Sequence, residues 1–286
     1  MKLSKKSDLF FPIVLLSFFV FTTLLPSIVK GAEERVAYTF GVVPQFEQRK
    51  LFKIWRPILD ELEMRTGFSF ELVGSPKIPV FEKKYMEGEY DFAYMNPYHI
   101  LKANDSQGYL PLVRDGGRVL KGILVVRKDN PIKSVQDLSG KQIAFPAPNA
   151  LGACLIMRAD KAQLHHVKAI PLYVQTHSSV YLHVVMGMAE AGGGVASTLA
   201  SQKPEIRDRL RILYETRPMS PHPVSVHPRV PNEDQEKVRH AFLELAQTEK
   251  GAALLSKIPM RKAISANMDD YEPMLSWGLE DFYVNN

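Results

Sequence analysis

One cysteine stands in this chain of 286 residues. A lone Cys154 excludes an internal disulfide and a thiolate metal site, and it reads as a small buried hydrophobe rather than a reactive thiol. Catalytic signatures are missing as well. There is no G-x-S-x-G elbow and no H-E-x-x-H pair, and "EAGGGVA" lacks the glycine spacing of a dinucleotide fingerprint. His165-His166 lies in the polar run "DKAQLHHVKA" and reads as a solvated turn, not a metal pair. His222 and His227 flank a proline-rich segment, at a hinge or cleft rim as readily as at a reacting centre. Without a complete catalytic set the chain is expected to be no enzyme and to need no metal or cofactor. Dense basic stripes are also missing. Of the formal net charge of +5, residues 1–31 supply three units through four Lys and one Asp. The small positive balance that remains is too mild for a nucleic-acid partner. No repeat with a period of about 20 to 50 residues is present.

What is there begins with a leader. Lys2, Lys5 and Lys6 precede an apolar stretch from Leu9 to Leu25, and Val29-Lys30-Gly31-Ala32 offers small residues for cleavage after Gly31 or Ala32. Residues 1–31 are read as a signal peptide, with an uncleaved anchor as the alternative, because the apolar stretch falls just short of a span of roughly 20 residues. No cysteine follows it to accept a lipid. An exported protein is expected.

From Arg35 onward strands and helices alternate. Val36 to Val43 reads as a strand; Leu51, Trp55, Ile58, Leu59 and Leu62 recur at helical spacing before Thr66-Gly67. Phe68 to Val73 is a second strand, Val80 to Glu87 a short helix, and "EYDFAYMNPYHI" a third strand running into a helix. Such β-α-β-α-β order predicts a parallel sheet covered by helices. A second unit opens with the strand Gly122 to Arg127. Ser134 is expected to cap a short helix; strands follow at Gln142 to Phe145, Lys168 to Gln175, Ala189 to Gly192 and Arg211 to Glu215, with helices between them. "TRPMSPHPVSVHPRVP" holds five prolines and suits an irregular crossing between domains. The remainder, from about Asn232, reads as largely helical. The α/β chain is thus expected to form two Rossmann-like lobes, 32–118 with 220–286 and 119–219.

In open α/β sheets ligands sit beyond the carboxyl ends of strands, and clefts between lobes are favoured sites. This rule selects Gln45, Ser75, Tyr94, Asn96 and Tyr98 from the first lobe, with Tyr94 or Met95 also expected in the core. From the second it selects Asn149-Ala150-Leu151-Gly152, His177-Ser178-Ser179 and Gly193-Gly194. Each second-lobe loop precedes a helix, whose unpaired N–H groups attract anions. Singly, each is an ordinary turn or cap; together on one edge they point to a small anionic ligand.

Several stretches resemble a known family. "FGVVPQ", "GSPKIPVFEKKYMEGEYDFAYMNPYHI", "KDNPIKSVQDLSGKQIAFPAPNALGA", "THSSVYLHVVMGMAEAGGGV" and "HPRVP" resemble, in order, the phosphonate-binding family of periplasmic solute-binding proteins. The resemblance implies a type II binding-protein fold with two crossings. It also implies delivery of a phosphate, phosphite or phosphonate-type oxyanion to an ABC permease and ATPase, by a chain expected to act as a monomer. The same clamp serving a membrane kinase as a sensor input is the alternative, and an enzyme on this fold the third reading. The family's Ser/Thr-rich phosphonate segment is here Asn149-Ala150-Leu151-Gly152, without a hydroxyl. His177 matches the family's cleft histidine, and Glu190 lies near the place of an acidic residue that meets a ligand amine in some members.

Overall fold

Tyr38, Phe40 and Val42 alternate inward along strand β1 (Ala37–Val42), so this strand lies against a helix layer. That layer is α1 (Gln48–Thr66), whose Leu51, Trp55, Ile58, Leu59 and Leu62 form one buried stripe and whose left-handed Gly67 ends it. The computed structural model describes residues 35–285; the expected leader, 1–31, lies outside them. After α1 come β2 (Ser69–Val73), α2 (Ile78–Met86), β3 (Phe92–Tyr94), α3 (Pro97–Gln107) and β4 (Leu110–Asp115). The chain continues through β5 (Gly122–Arg127), β6 (Gln142–Phe145), α4 (Ile156–Gln163), β7 (Ile170–Tyr173) and α5 (His177–Val185). Then follow β8 (Ala191–Val195), α6 (Ala196–Ala200), α7 (Pro204–Arg207) and β9 (Leu210–Glu215). Last are β10 (Val224–Val226), α8 (Asn232–Leu245), α9 (Glu249–Leu255) and β11 (Ala263–Ser265).

Two sheets result. The first runs β11-β4-β10-β3-β1-β2, parallel across β3-β1-β2 as the sequence predicts and antiparallel through β10, β4 and β11. The second runs β7-β6-β8-β5-β9, parallel only across β7-β6-β8. The chain passes between sheets at 116–121 and returns at 216–223. These two linkers are paired: the Leu120 N–H donates to the Met219 carbonyl at 2.8 Å and the Met219 N–H to Leu120 at 2.9 Å. Among the described residues no helix is long and apolar enough to cross a membrane.

Four sequence expectations need correction here. The proline-rich segment is not wholly irregular: Val224-Ser225-Val226 inserts between β3 and β4, flanked by the prolines. β11 interrupts the region expected to be helical. Ser134 caps nothing; the Asp137 carboxylate instead reaches back to accept the Lys133 and Ser134 N–H groups, each at 2.9 Å. The strand expected at 189–192 is displaced to 191–195, so Gly192, Gly193 and Gly194 sit inside it.

Candidate functional site

Loops at the ends of both sheets meet around Gln45. Its backbone carbonyl accepts the His177 N–H at 3.3 Å, and its side-chain amide lies 3.2 Å from His222 Nε2. A second cross-contact runs from Asn96 Nδ2 to the Asn149 carbonyl at 3.3 Å. The two halves therefore touch directly at these loops, and the cleft is shut at this point. It retains a small cavity of about 20 Å³, lined among others by Gln45, Asn96, Ala150, Leu151, Gly152, His177 and His222. That volume holds about one water, so a larger guest enters only when the loops part.

The electrical character of this cavity follows from what lines it. No carboxylate, lysine or arginine does. The helical segment beginning at Leu151 opens with a π-type turn, 151–155, before α4. Among the described residues the N–H groups of Leu151, Gly152 and Ala153 have no hydrogen-bond partner. They are the orphan donors of a helix start and carry partial positive charge. Two imidazoles join them. Burial lowers the His177 pKa to about 4 and that of His222 to about 3, the latter also through the neighbouring His99 and His177. Both rings are neutral at pH 7. His177 Nδ1 lies 3.2 Å from Thr198 Oγ1, while His222 stacks on Tyr94 with ring centroids 5.4 Å apart.

Several residues selected from the sequence do other work. Asn96 uses Oδ1 to cap α3, accepting from the Tyr98 and His99 N–H groups. Tyr94 is in the core, as one of the pair with Met95 was expected to be; its hydroxyl donates to the Ile258 carbonyl and its ring packs on Trp55. Tyr98 faces away from the small cavity and donates to Glu280 Oε2 at 2.8 Å. Ser75 is buried against the Tyr90 hydroxyl and does not line the small cavity. The Asn149 side chain is occupied by Val284, donating to its carbonyl at 2.8 Å and accepting its N–H at 2.9 Å. Ser179 donates its N–H to Thr176, the cap of α5, and Ser178 accepts from Gln202 Nε2 at 3.4 Å.

Gly193 and Gly194 serve packing. A Cβ on Gly193 would lie 1.9 Å from the Ala153 carbonyl oxygen, and one on Gly194 would lie 2.0 Å from the Tyr181 hydroxyl. These glycines let the 151–155 turn and α5 close down on β8. Glu190 points outward to Asn130 and is absent from the cavity lining. Thr198 was not selected from the sequence, and His222 was placed there at a hinge or cleft rim without being counted among the ligand residues. Chain crossings border an inter-domain cleft, so the proline-rich linker itself was the available signal for His222; nothing local marks Thr198.

Two more spaces adjoin. A chamber of about 410 Å³ shares Gln45 and is floored by Leu51 and Trp55. A space of about 100 Å³ lies against the first linker, between His222, Asp115 and Arg118. Half-buried Lys50 sits 3.7 Å above the Phe46 ring, and burial lowers its pKa. Cys154 is buried, with its thiol pushed up to about 12 by desolvation.

Comparison with known proteins places this geometry. Residues 40–271 match the family described as "ABC transporter, phosphonate, periplasmic substrate-binding protein". The phosphonates-binding periplasmic protein of Escherichia coli (strain K12) is 21% identical over 257 residues, covering 85% of this chain and 75% of that protein. Among solved structures, a binding protein component of an ABC phosphonate transporter from Pseudomonas aeruginosa superposes with a TM-score of 0.77 at 16% identity, covering 85% of this chain and 86% of that one. PhnD1 of Prochlorococcus marinus, solved in complex with methylphosphonate, gives 0.76 at 14% identity, covering 87% and 99%. The shared fold is the type II periplasmic binding protein, two lobes about a cleft.

Proposed function

Because this chain belongs to the phosphonate-binding family of periplasmic substrate-binding proteins of ABC transporters, we propose that it captures a phosphonate-type oxyanion in the cleft between its lobes. The observation that carries this reading is the pairing of three unpartnered N–H groups, on Leu151, Gly152 and Ala153, with a cavity lining free of carboxylates. Backbone donors at a helix start suit an oxyanion without any hydroxyl in the segment. Asn96 and Gln45 meet it from the other lobe, and His177 and His222 from the sides. We assign 32–118 with 220–286 to one lobe and 119–219 to the other. Closure then presents one shape to a permease and its ATPase, and binding without chemistry is the whole task. The leader is read as exporting the chain, which acts as a monomer.

Isothermal calorimetry with methylphosphonate, 2-aminoethylphosphonate, phosphite and phosphate tests this. Saturable binding of at least one, weakened about tenfold or more by Gly152→Pro, which distorts the turn and removes one donor, is expected. Absence of heat and of thermal stabilisation with all four would remove the phosphorus assignment.

A further inference from the structure

The 410 Å³ chamber beside the small cavity is built differently from it. Its floor is apolar and buried, with Val42, Leu51 and Trp55. Lys50, Arg118, Lys257 and Arg261 line it as well, the last three exposed, and no carboxylate does. Arg118 pairs with Asp115 at 3.2 Å. Lys50 feels the neighbouring Glu47 carboxylate, whereas Lys257 and Arg261 enter no ion pair among the described residues. An excess of cations, two of them without a partner carboxylate, around a concave apolar surface attracts a molecule that is both apolar and negatively charged.

The chamber also adjoins the proposed oxyanion site. Gln45 lines both spaces. Thr198 lines the chamber, and its hydroxyl contacts His177, which lines the small cavity. Tyr94 in the chamber wall stacks on His222. A methyl substituent on an oxyanion held at Gly152 would leave most of this volume unused.

We infer that the preferred ligand is elongated: a phosphorus oxyanion joined by an apolar stem to a second anionic group. The head sits at the Leu151–Ala153 donors, the stem covers Trp55 and Leu51, and the far anion meets Lys257 and Arg261. This rests on the proposed oxyanion site and specifies its substrate class.

Calorimetry with methylphosphonate, hexylphosphonate and 6-phosphonohexanoate separates the two readings. Each methylene buried on the floor is worth about fourfold in affinity, so hexylphosphonate binds at least about tenfold tighter than methylphosphonate, and the added carboxylate gives about a further fivefold. The double variant Lys257→Ala/Arg261→Ala removes the carboxylate gain and leaves methylphosphonate within about twofold. Ala200→Trp, an exposed position in the chamber wall, removes the gain from the stem. Methylphosphonate bound as tightly as the longer pair, or a carboxylate gain that survives the double variant, overturns the inference and leaves oxyanion capture standing. If none of the three binds, both fall.

Discussion

His177 and His222 couple the stability of the fold to pH. Their folded-state pKa values, about 4 and about 3, lie below the ordinary value of 6.5 because burial disfavours the charged ring. Between those limits the unfolded chain binds more protons than the folded one, so stability rises with pH and is lost on acidification. Going from pH 7 to pH 5 should cost on the order of 2 kcal/mol for each ring, read as a fall in melting temperature. His222→Gln should flatten that dependence; an unchanged pH profile would mean that the ring is hydrated in solution. A bound oxyanion favours the charged ring, so binding near pH 6 should take up protons, seen as buffer-dependent heats in calorimetry. Gly193 answers to sterics instead. Gly193→Ala drives a methyl into the Ala153 carbonyl and should destabilise by about 3 kcal/mol in urea unfolding.

At the scale of elements, the last residues behave as a strap. Tyr98 and Lys102 on α3 hold Glu280, with Lys102 Nζ 2.7 Å from its carboxylate. Arg158 on α4 donates to the Phe282 carbonyl at 2.9 Å, and Asn149 grips Val284 from both sides. One segment thus joins a helix packed on the first sheet to a loop and helix of the second. Asn149→Ala removes both bonds to Val284 and the donor 3.3 Å from buried Glu82, and should release the tail at a cost of about 1–3 kcal/mol, with the largest gain in hydrogen exchange at 282–284. The strap explains why two positions selected from the sequence, Tyr98 and Asn149, are engaged by protein. Their chemistry suits a ligand, but the competing group arrives from nearly two hundred and more than one hundred residues away respectively, beyond the reach of a local pattern. Proline hid other elements. Pro111 sits within β4 at the irregularity in its pairing with β10, and Pro221 and Pro223 precede β10, so neither strand carries an uninterrupted alternation. The parallel core of both sheets was legible because apolar runs and helix stops there are unbroken. The glycine triplet was misread because an open loop and a tightly covered strand both require small residues.

As a whole the molecule is proposed to work as a clamp, whose loops were foreseeable and whose volume was not. Strand ends and helix starts picked out Gln45, Asn96, Ala150, Leu151, Gly152 and His177, which the structure gathers at one cavity. The chamber escaped because its wall is assembled from α1, α6 and the 256–261 turn, none of which carries a loop signature. Closure should appear as a smaller radius of gyration in X-ray scattering when methylphosphonate is added, with a melting temperature that rises with ligand concentration. A profile identical with and without ligand would oppose the clamp.

The amide exchange between Leu120 and Met219 has a practical consequence. Two paired extended segments should bend across their width more readily than they twist, so opening is expected to follow in effect one coordinate. A single separation then reports it, for example between dyes on Met64→Cys, on α1, and Met186→Cys, just past the end of α5, both outward-facing. The native thiol, enclosed and poorly ionised, would stay unlabelled, and a library of solutes could be screened by energy transfer before any transporter is in hand.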